Sequence, residues 1–370
     1  MKKVIIVGFW IAFTFPWVSL HAEEGEPKSS PVQIWKASEL DQKKIDGISL
    51  AIQTKIREDF EKTKKAVRDA HAKHHGCVNA EFTVLEGLNK KGLDVGLFKK
   101  PGKTYKAWIR FSNGSGDPKQ DDRNPGGRGM AFKLFGVEGD KFLDDEKLTQ
   151  DFNMINHPVF FVKNLNDYGG FLQNAPNFFA THAEERAVVT AIANPKLNPP
   201  MNPLESVYFS MTPRQWGPAD KLRPVKFSAA PVACDTETLS PLKLEDSPDA
   251  LRIALRKTLE QKQACFVFRI QLQTNEKEMP VDNPVQLWDE KLSPFIPVAK
   301  IVIKKQSFES EKQETFCEDL SITPWHSIAE HQPLGSIELT RKAVYQGTSK
   351  LRHELNGRAK QEPTGEEVFE

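Results

Sequence analysis

Tyrosine is scarce in this chain of 370 residues: four stand against 24 phenylalanines. Aromatic residues so short of hydroxyls suit an ordinary apolar core or the enclosure of a large flat hydrophobic ligand, and composition does not choose between them. Neither sign of charge is in excess, because 51 Lys and Arg face 50 Asp and Glu for a net +1. That excludes a global field drawing the chain to nucleic acid or an anionic membrane. Cysteine is sparse too, and Cys77, Cys234, Cys265 and Cys317 are widely scattered. No C-x-x-C or zinc-finger spacing exists, and four cysteines allow three pairings that sequence does not separate. No repeat or low-complexity tract is present, and after Leu20 no run approaches eighteen apolar residues. A stable membrane span in the later chain is therefore not expected. What is present is globular: 39% hydrophobic and 27% charged residues, with 25 prolines and 22 glycines that imply many turns.

Lys2 and Lys3, an apolar stretch from Val4 to Leu20, and Ala22 before Glu23 and Glu24 have the layout of a cleavable secretory signal peptide over residues 1–22. Pro16 interrupts the run, which argues against an anchor, so a periplasmic or secreted product is expected. A polar lead follows. The apolar spacing from Ile45 to Ala72 predicts an amphipathic helix ending near His74, His75 and Gly76. Strands are expected at 80–85, 107–112, 130–135, 265–273 and 298–304, consistent with an antiparallel sheet or barrel. Helices are expected from Ser247, with Leu251, Leu255 and Leu259 four apart, and from Gly335 to Leu355.

Some motifs fail. Gly102-Lys103-Thr104 lacks the glycine a phosphate loop needs five places earlier, where Leu97 stands. His71, His74, His75 and Cys77 match no zinc spacing and read as solvated groups at a helix end. Two placements are more telling. Period two puts Trp108, Arg110 and Ser112 on one face of a strand. Arg341, Tyr345 and Arg352 fall within about 40° of arc on the last helix, setting a phenol between two guanidiniums. The bland reading is a surface salt-bridge face with a packed tyrosine. The sharper one is a metal-ligating tyrosinate, since arginine favours the ionised phenol.

Five segments then carry a family resemblance: Arg68-Asp-Ala-His71-Ala-Lys; Ala107-Trp-Ile-Arg110-Phe-Ser112; Gly127-Arg128-Gly-Met-Ala-Phe-Lys133; Asn156-His-Pro158-Val-Phe-Phe161; and Arg341-x-x-x-Tyr345 with Arg352. In order and spacing they resemble the haem catalases, and most of all the short, secreted catalase-related branch. The resemblance implies an α+β fold built on an eight-stranded antiparallel barrel with surrounding helices. It implies a catalase-like haem-binding domain over 45–360, after a lead at 23–44 and before a charged tail at 361–370. It implies haem b as cofactor, with Tyr345 as the iron ligand and Arg341 keeping that phenol ionised. His71 matches the distal proton shuttle and Ser112 the residue orienting it. Arg68, Arg110 and Arg352 match arginines that pair with haem propionates, Tyr168 a ring stacked near the haem, and Asn156 the second of two distal asparagines.

Three departures stand beside these matches. The first distal asparagine is Ile155, the acid near the peroxide channel is Gly126, and the acid six residues before the proximal arginine is Gly335. The cofactor-holding set is intact while part of the peroxide-handling set is missing. The resemblance therefore implies an enzyme acting on hydrogen peroxide or an organic hydroperoxide with a small-molecule reductant, more peroxidase than catalase. Alternatives from the same residues are a fatty-acid hydroperoxide-rearranging haem enzyme and a non-catalytic barrel that carries haem or lipid.

Overall fold

A computed structural model of the chain describes residues 37–218, 220–221, 223–234 and 243–369. The expected signal peptide at 1–22 and the lead through residue 36 lie outside these described residues. Helix α1 (Glu39–Thr63) begins where Ser38 Oγ accepts from the Asp41 N–H at 3.1 Å, with Glu39 and Asp41 in the first turn. It ends on Lys64 in the left-handed region (φ 56°), whose N–H bonds Phe60 O. The helix thus stops nine residues before the Ala72 boundary that periodicity suggested.

Strand β1 (His74–Val84) takes up the histidines expected to end that helix, followed by β2 (Thr104–Asn113), β3 (Arg128–Phe135) and β4 (Thr149–Ile155). Three short helices come next, α2 (Leu165–Gln173), α3 (Ala175–Thr181) and α4 (Ala183–Ala193). The two-residue strands β5 (Tyr208–Phe209) and β6 (Arg214–Gln215) precede the long β7 (Pro224–Val232). Helix α5 (Ala250–Gln261), β8 (Ala264–Leu272), β9 (Ile296–Ile303), α6 (Glu311–Asp319) and α7 (Ser336–Leu355) complete the order. All pairings are antiparallel. The ring runs β1-β2-β3-β4-β5-β7-β8-β9 and closes back on β1, while β6 pairs with β7 and bridges from Arg214 to Pro333. This is the expected eight-stranded barrel with helices around it.

Alternation decides what each strand buries. Val78, Ala80, Phe82 and Val84 from β1, Ile109 and Phe111 from β2, Phe132 from β3 and Phe152 from β4 fill the interior. Phe227 and Phe268 join them, with Phe132 and Phe152 stacked at 4.8 Å and Phe152 edge-on to Phe268 at 5.1 Å. Much of the phenylalanine excess is spent on a solid barrel core. The outward faces of β2, β3 and β4, carrying Arg110, Ser112, Gly129, Lys133, Asp151 and Ile155, are left for the helical layer.

Two connections were not legible beforehand. Cysteines pair as Cys77–Cys317 and Cys234–Cys265. The tail expected to be merely charged packs back: Glu367 accepts from Trp108 Nε1 at 3.0 Å, and the Phe369 ring lies 5.7 Å from Trp108.

Candidate functional site

Arg110 on β2, Arg341 on α7 and Arg68 all lie within electrostatic reach of His71. His71 stands before β1 in the left-handed region (φ 59°), an uncommon conformation for a residue with a side chain. Its Nδ1 lies 3.0 Å from Ser112 Oγ on β2. Gly129, opposite Ser112 on β3, makes room for the pair: a Cβ there would lie 2.6 Å from Ser112 Oγ and 2.7 Å from His71 Nδ1. Burial pushes the His71 pKa down to about 4, and the positive charges of Arg110, Arg341 and Arg68 add to the shift. At neutral pH the imidazole is neutral, with one nitrogen held by serine and the other free to accept a proton.

Across the site, α7 presents Arg341 and Tyr345 one turn apart. Arg341 Nη2 donates to Tyr345 Oη at 3.3 Å, and Arg341 Nη1 donates to Thr212 Oγ1 at 3.2 Å. Its principal partner is Glu338, three residues earlier and fully buried, which also accepts from Thr212. Burial alone would lower the pKa of Arg341, but the Glu338 carboxylate holds it above the ordinary value. Position 335 is glycine, as the sequence says, yet an acid does serve Arg341. It reaches from i−3 rather than i−6, and the helical spacing was the available signal. Thr212 gave none, because it arrives from a loop 129 residues away, shaped by Met211 at φ 66°.

Beside this pair lies an arginine trio. Arg68 Nη2 donates to Leu320 O at 2.7 Å and Cys317 O at 3.3 Å, Arg110 Nη2 donates to Ala72 O at 3.3 Å, and Arg352 Nη1 donates to Glu318 O. Burial lowers the pKa of all three, and repulsion from neighbouring arginines deepens the shift for Arg110 and for Arg352, which comes down to about 9. Glu314, which also attracts Arg110, is paired with Arg252, and the carboxylate within ion-pair range is Glu318, 3.7 Å from Arg68 Nη1. Although burial would raise its pKa, His74, Arg68 and Arg110 hold it far below the usual range. Asp319, nearby, is taken by Arg358 at 2.9 Å. Three guanidiniums and one carboxylate leave two buried positive charges unmatched. Arg68 Nη1 and Arg110 Nε also lack hydrogen-bond partners. A ligand with two carboxylates would meet both deficits, and haem carries two. The donors present fit that cofactor, with Tyr345 Oη as the side-chain oxygen for its iron.

Tyr168 of α2 lies edge-on to Phe160 and Phe161 at 6.2 Å each, within electrostatic reach of Tyr345 and Arg341, so it joins the site. Asn156 does not. Its Oδ1 accepts from Arg128 N at 2.7 Å and its Nδ2 donates to Asn198 Oδ1 at 2.6 Å, which commits its amide to the loop behind β4. The amide of Asn156, expected beside His71, is thus engaged with Arg128 and Asn198 instead. The β3–β4 register runs without a shift to Gly129 opposite Ile155, which puts Ile155 on the wall next to His71 and Ser112. Ile155 packs against the apolar cluster of Phe160, Val162, Phe178, Met211 and Ile337. Asn153, two residues along the same face, keeps its Oδ1 buried and without a partner.

The histidine–cysteine group near residue 75 disperses. Cys77 is in a disulfide, His75 lies 3.6 Å from Asp122, and His74 lies 3.1 Å from Glu318 and 3.3 Å from Glu314. Among the described residues, Glu146, Asp151 and His326 bring ligand atoms within 4.8 Å of one another. Lys133 Nζ bonds both carboxylates, 2.8 Å from Asp151, which makes the group a buried charge network tying β3 and β4 to the segment before α7.

The Catalase family model matches residues 25–188. The chain is similar to a catalase-related peroxidase from Mycolicibacterium paratuberculosis, 28% identical over 257 residues that make up 66% of this chain and 80% of the relative. It superposes on a fungal catalase with a TM-score of 0.63 at 18% identity, covering 84% of this chain and 64% of that one. Catalase A from Saccharomyces cerevisiae gives a TM-score of 0.63 at 18% identity, covering 85% and 67%. The chain thus spans about two thirds of the length of those solved catalases.

Proposed function

Because the chain is a catalase-family protein with a catalase-like domain, we propose that it is a haem-dependent oxidoreductase that reduces hydrogen peroxide or an organic hydroperoxide. Electrons come from a small organic reductant, and peroxidase turnover outweighs dismutation. One observation carries this reading: a neutral His71–Ser112 pair faces an Arg341–Tyr345 pair beside buried guanidiniums short of two negative charges.

Haem, when bound, supplies an iron that passes electrons to the peroxide oxygen–oxygen bond. Tyr345 would hold that iron, with Arg341 favouring the phenolate and Glu338 fixing Arg341. Arg68, Arg110 and Arg352 would take the propionates. His71 receives the proton of the oxygen that attacks and returns it to the oxygen that leaves, so that the departing group is water or an alcohol. Ser112 keeps the ring turned so that Nε2, not Nδ1, does this. Ile155 and Phe160 make the wall beside His71 apolar, which supports acceptance of an organic hydroperoxide and withholds an amide from a second peroxide. A carrier without turnover needs no proton shuttle, so the His71–Ser112 pair favours an enzyme.

Two disulfides in the described residues support an oxidising compartment, in keeping with an exported product. The test of the reading is the absorption spectrum of the purified protein. A high-spin ferric haem with phenolate ligation is expected, and a protein that takes up no haem overturns it.

A further inference from the structure

Helix α6 belongs to no motif that the sequence offered, yet its C-terminal end forms part of the arginine trio's surroundings. The last carbonyls of a helix lack intrahelical donors and carry the negative end of its dipole. Here they are filled by Arg68, which bonds Cys317 O and Leu320 O, and by Arg352, which bonds Glu318 O. Glu318 itself stands between Arg68 and His74. A helix of nine residues is marginal on its own, so something must hold it in place. The Cys77–Cys317 bond does so, joining α6 to β1 across 240 residues, and Gln313 Nε2 donates to Cys77 O at 2.9 Å one turn earlier. Both sulfurs belong to fully buried residues. Cys234–Cys265, by contrast, ties the end of β7 to β8 and touches none of these groups.

We propose that α6 is a covalently tethered wall of the carboxylate cradle: Cys77–Cys317 fixes the helix so that Glu318 and the helix-end carbonyls position Arg68 and Arg352 for the two carboxylates of the cofactor. Cys77, Cys317 and Glu318 are thus positioning residues, and this rests on the haem reading above. Linkage makes the idea testable in the wild-type chain. If the disulfide favours cofactor binding, bound cofactor must favour the disulfide by the same factor.

The full-length protein, with and without haem, is equilibrated in dithiothreitol redox buffers. Reduction breaks the sulfur–sulfur bond and takes two electrons and two protons from dithiothreitol, which closes to its own disulfide. Each cysteine pair is read by alkylation and mass spectrometry. Haem should make Cys77–Cys317 about tenfold harder to reduce, about 30 mV for this two-electron couple, while Cys234–Cys265 moves less than about twofold. Equal shifts of both pairs, or no shift, overturn the tether and leave the haem reading standing. A chain that takes up no haem overturns both. As a second measurement, Cys77→Ser with Cys317→Ser should give up haem to an acceptor apoprotein about ten times more readily at equilibrium than wild type, the same factor in affinity that linkage requires, whereas Cys234→Ser with Cys265→Ser should not. Equal release from the two variants overturns the proposal, and if the first variant does not fold, the redox linkage decides.

Discussion

The two sides of the site are built differently. On the α7 side polar groups pair with one another: Glu338 Oε1 with Arg341 and Thr212, Arg341 with Tyr345, Arg352 with the end of α6, while Glu338 Oε2 is buried without a hydrogen-bond partner. On the β4 side packing stands in place of polarity, with Ile155 against the apolar cluster that contains Phe160 and the Asn156 amide bonded to Asn198. What survives there is the His71–Ser112 pair. The side that would hold a charged cofactor is thus rich in linked polar groups, with guanidinium nitrogens left over for a ligand, while the side that would handle peroxide is reduced to one proton carrier and its support. A network in a low-dielectric interior is costly to leave half-made, whereas an apolar wall can lose an amide and still pack.

The largest effect should come from the holding side. Tyr345→Phe removes the oxygen for iron and leaves Arg341 with one partner fewer, so the purified variant should lose its haem or show another axial ligand. An unchanged spectrum would remove Tyr345 from the site and break the comparison at its strongest point.

Next comes His71, on the reacting side. His71→Ala should keep haem, because no cradle residue depends on the ring, and should slow the reaction with peroxide by about 10²- to 10⁴-fold, the usual worth of a positioned proton carrier. Stopped-flow absorbance after mixing with peroxide reads this, and a rate within about threefold of wild type, far under that range, would refute it. The pH profile gives a second reading. Since His71 is held down to about 4 by burial and then by Arg110 and Arg341, the wild-type rate should stay level from neutral pH and fall as pH drops through about 4. Folding stability follows the same sign. The unfolded chain binds the proton near pH 6.5 while the folded site resists it, so His71 makes stability fall as pH goes from about 6.5 to about 4. His71→Ala should flatten that slope in urea titrations.

A smaller effect is expected at Glu338, which sharpens what holding requires. Glu338→Gln keeps the shape and one acceptor but leaves the Arg341 charge without its counter-ion. A cost of about 3 kcal/mol in folding stability is expected from breaking a buried pair, together with a shifted ferric spectrum as the phenolate loses support. Equilibrium unfolding and absorbance read both, and a variant as stable as wild type would mean that Thr212 and Tyr345 suffice for Arg341.

How far the site was legible depends on how local each part is. Arg341, Tyr345 and Arg352 were visible because one helix spaces them onto one stripe, and Arg110 with Ser112 because a strand alternates. His71 sits in neither kind of element, so period and spacing were silent, and only its segment's resemblance singled it out. Glu338 was within reach of helical spacing, but the resemblance places the acid at i−6, where Gly335 stands, and not at i−3. Glu318 and Thr212 were out of reach, since each meets its arginine only after the chain has folded. In the fold the same rule holds. Five strands were expected, but β7 was not, although Val225, Phe227 and Ala229 alternate, because Pro224 and Pro231 read as turn residues; β5 is two residues long, and β4 disguises itself by burying Asp151 and Thr149 on its outer face. His74 and His75 read as a helix end because their partners, Glu318 and Asp122, lie far along the chain.

The finest test of the comparison is Ile155→Asn. Dismutation needs a second peroxide held and deprotonated beside His71, and an amide at this wall position would bond it; isoleucine cannot. A shifted register could have brought a neighbouring asparagine into place, but the β3–β4 pairing is regular to its end, and Asn156 is spent on Arg128 and Asn198. Oxidation of an organic dye asks nothing of that amide, because the reductant delivers electrons without being positioned by Ile155. The substitution should therefore raise oxygen release several-fold, on the order of the 1 kcal/mol that one hydrogen bond contributes, with dye oxidation changed less than about twofold. An oxygen electrode and a dye assay on the same preparations measure both. Asn153 supplies the alternative outcome: its unpartnered Oδ1 lies on the same face. If wild type already releases oxygen near the diffusional limit and Ile155→Asn adds nothing, the β4 side is not impoverished, and Asn153 becomes the group to replace next.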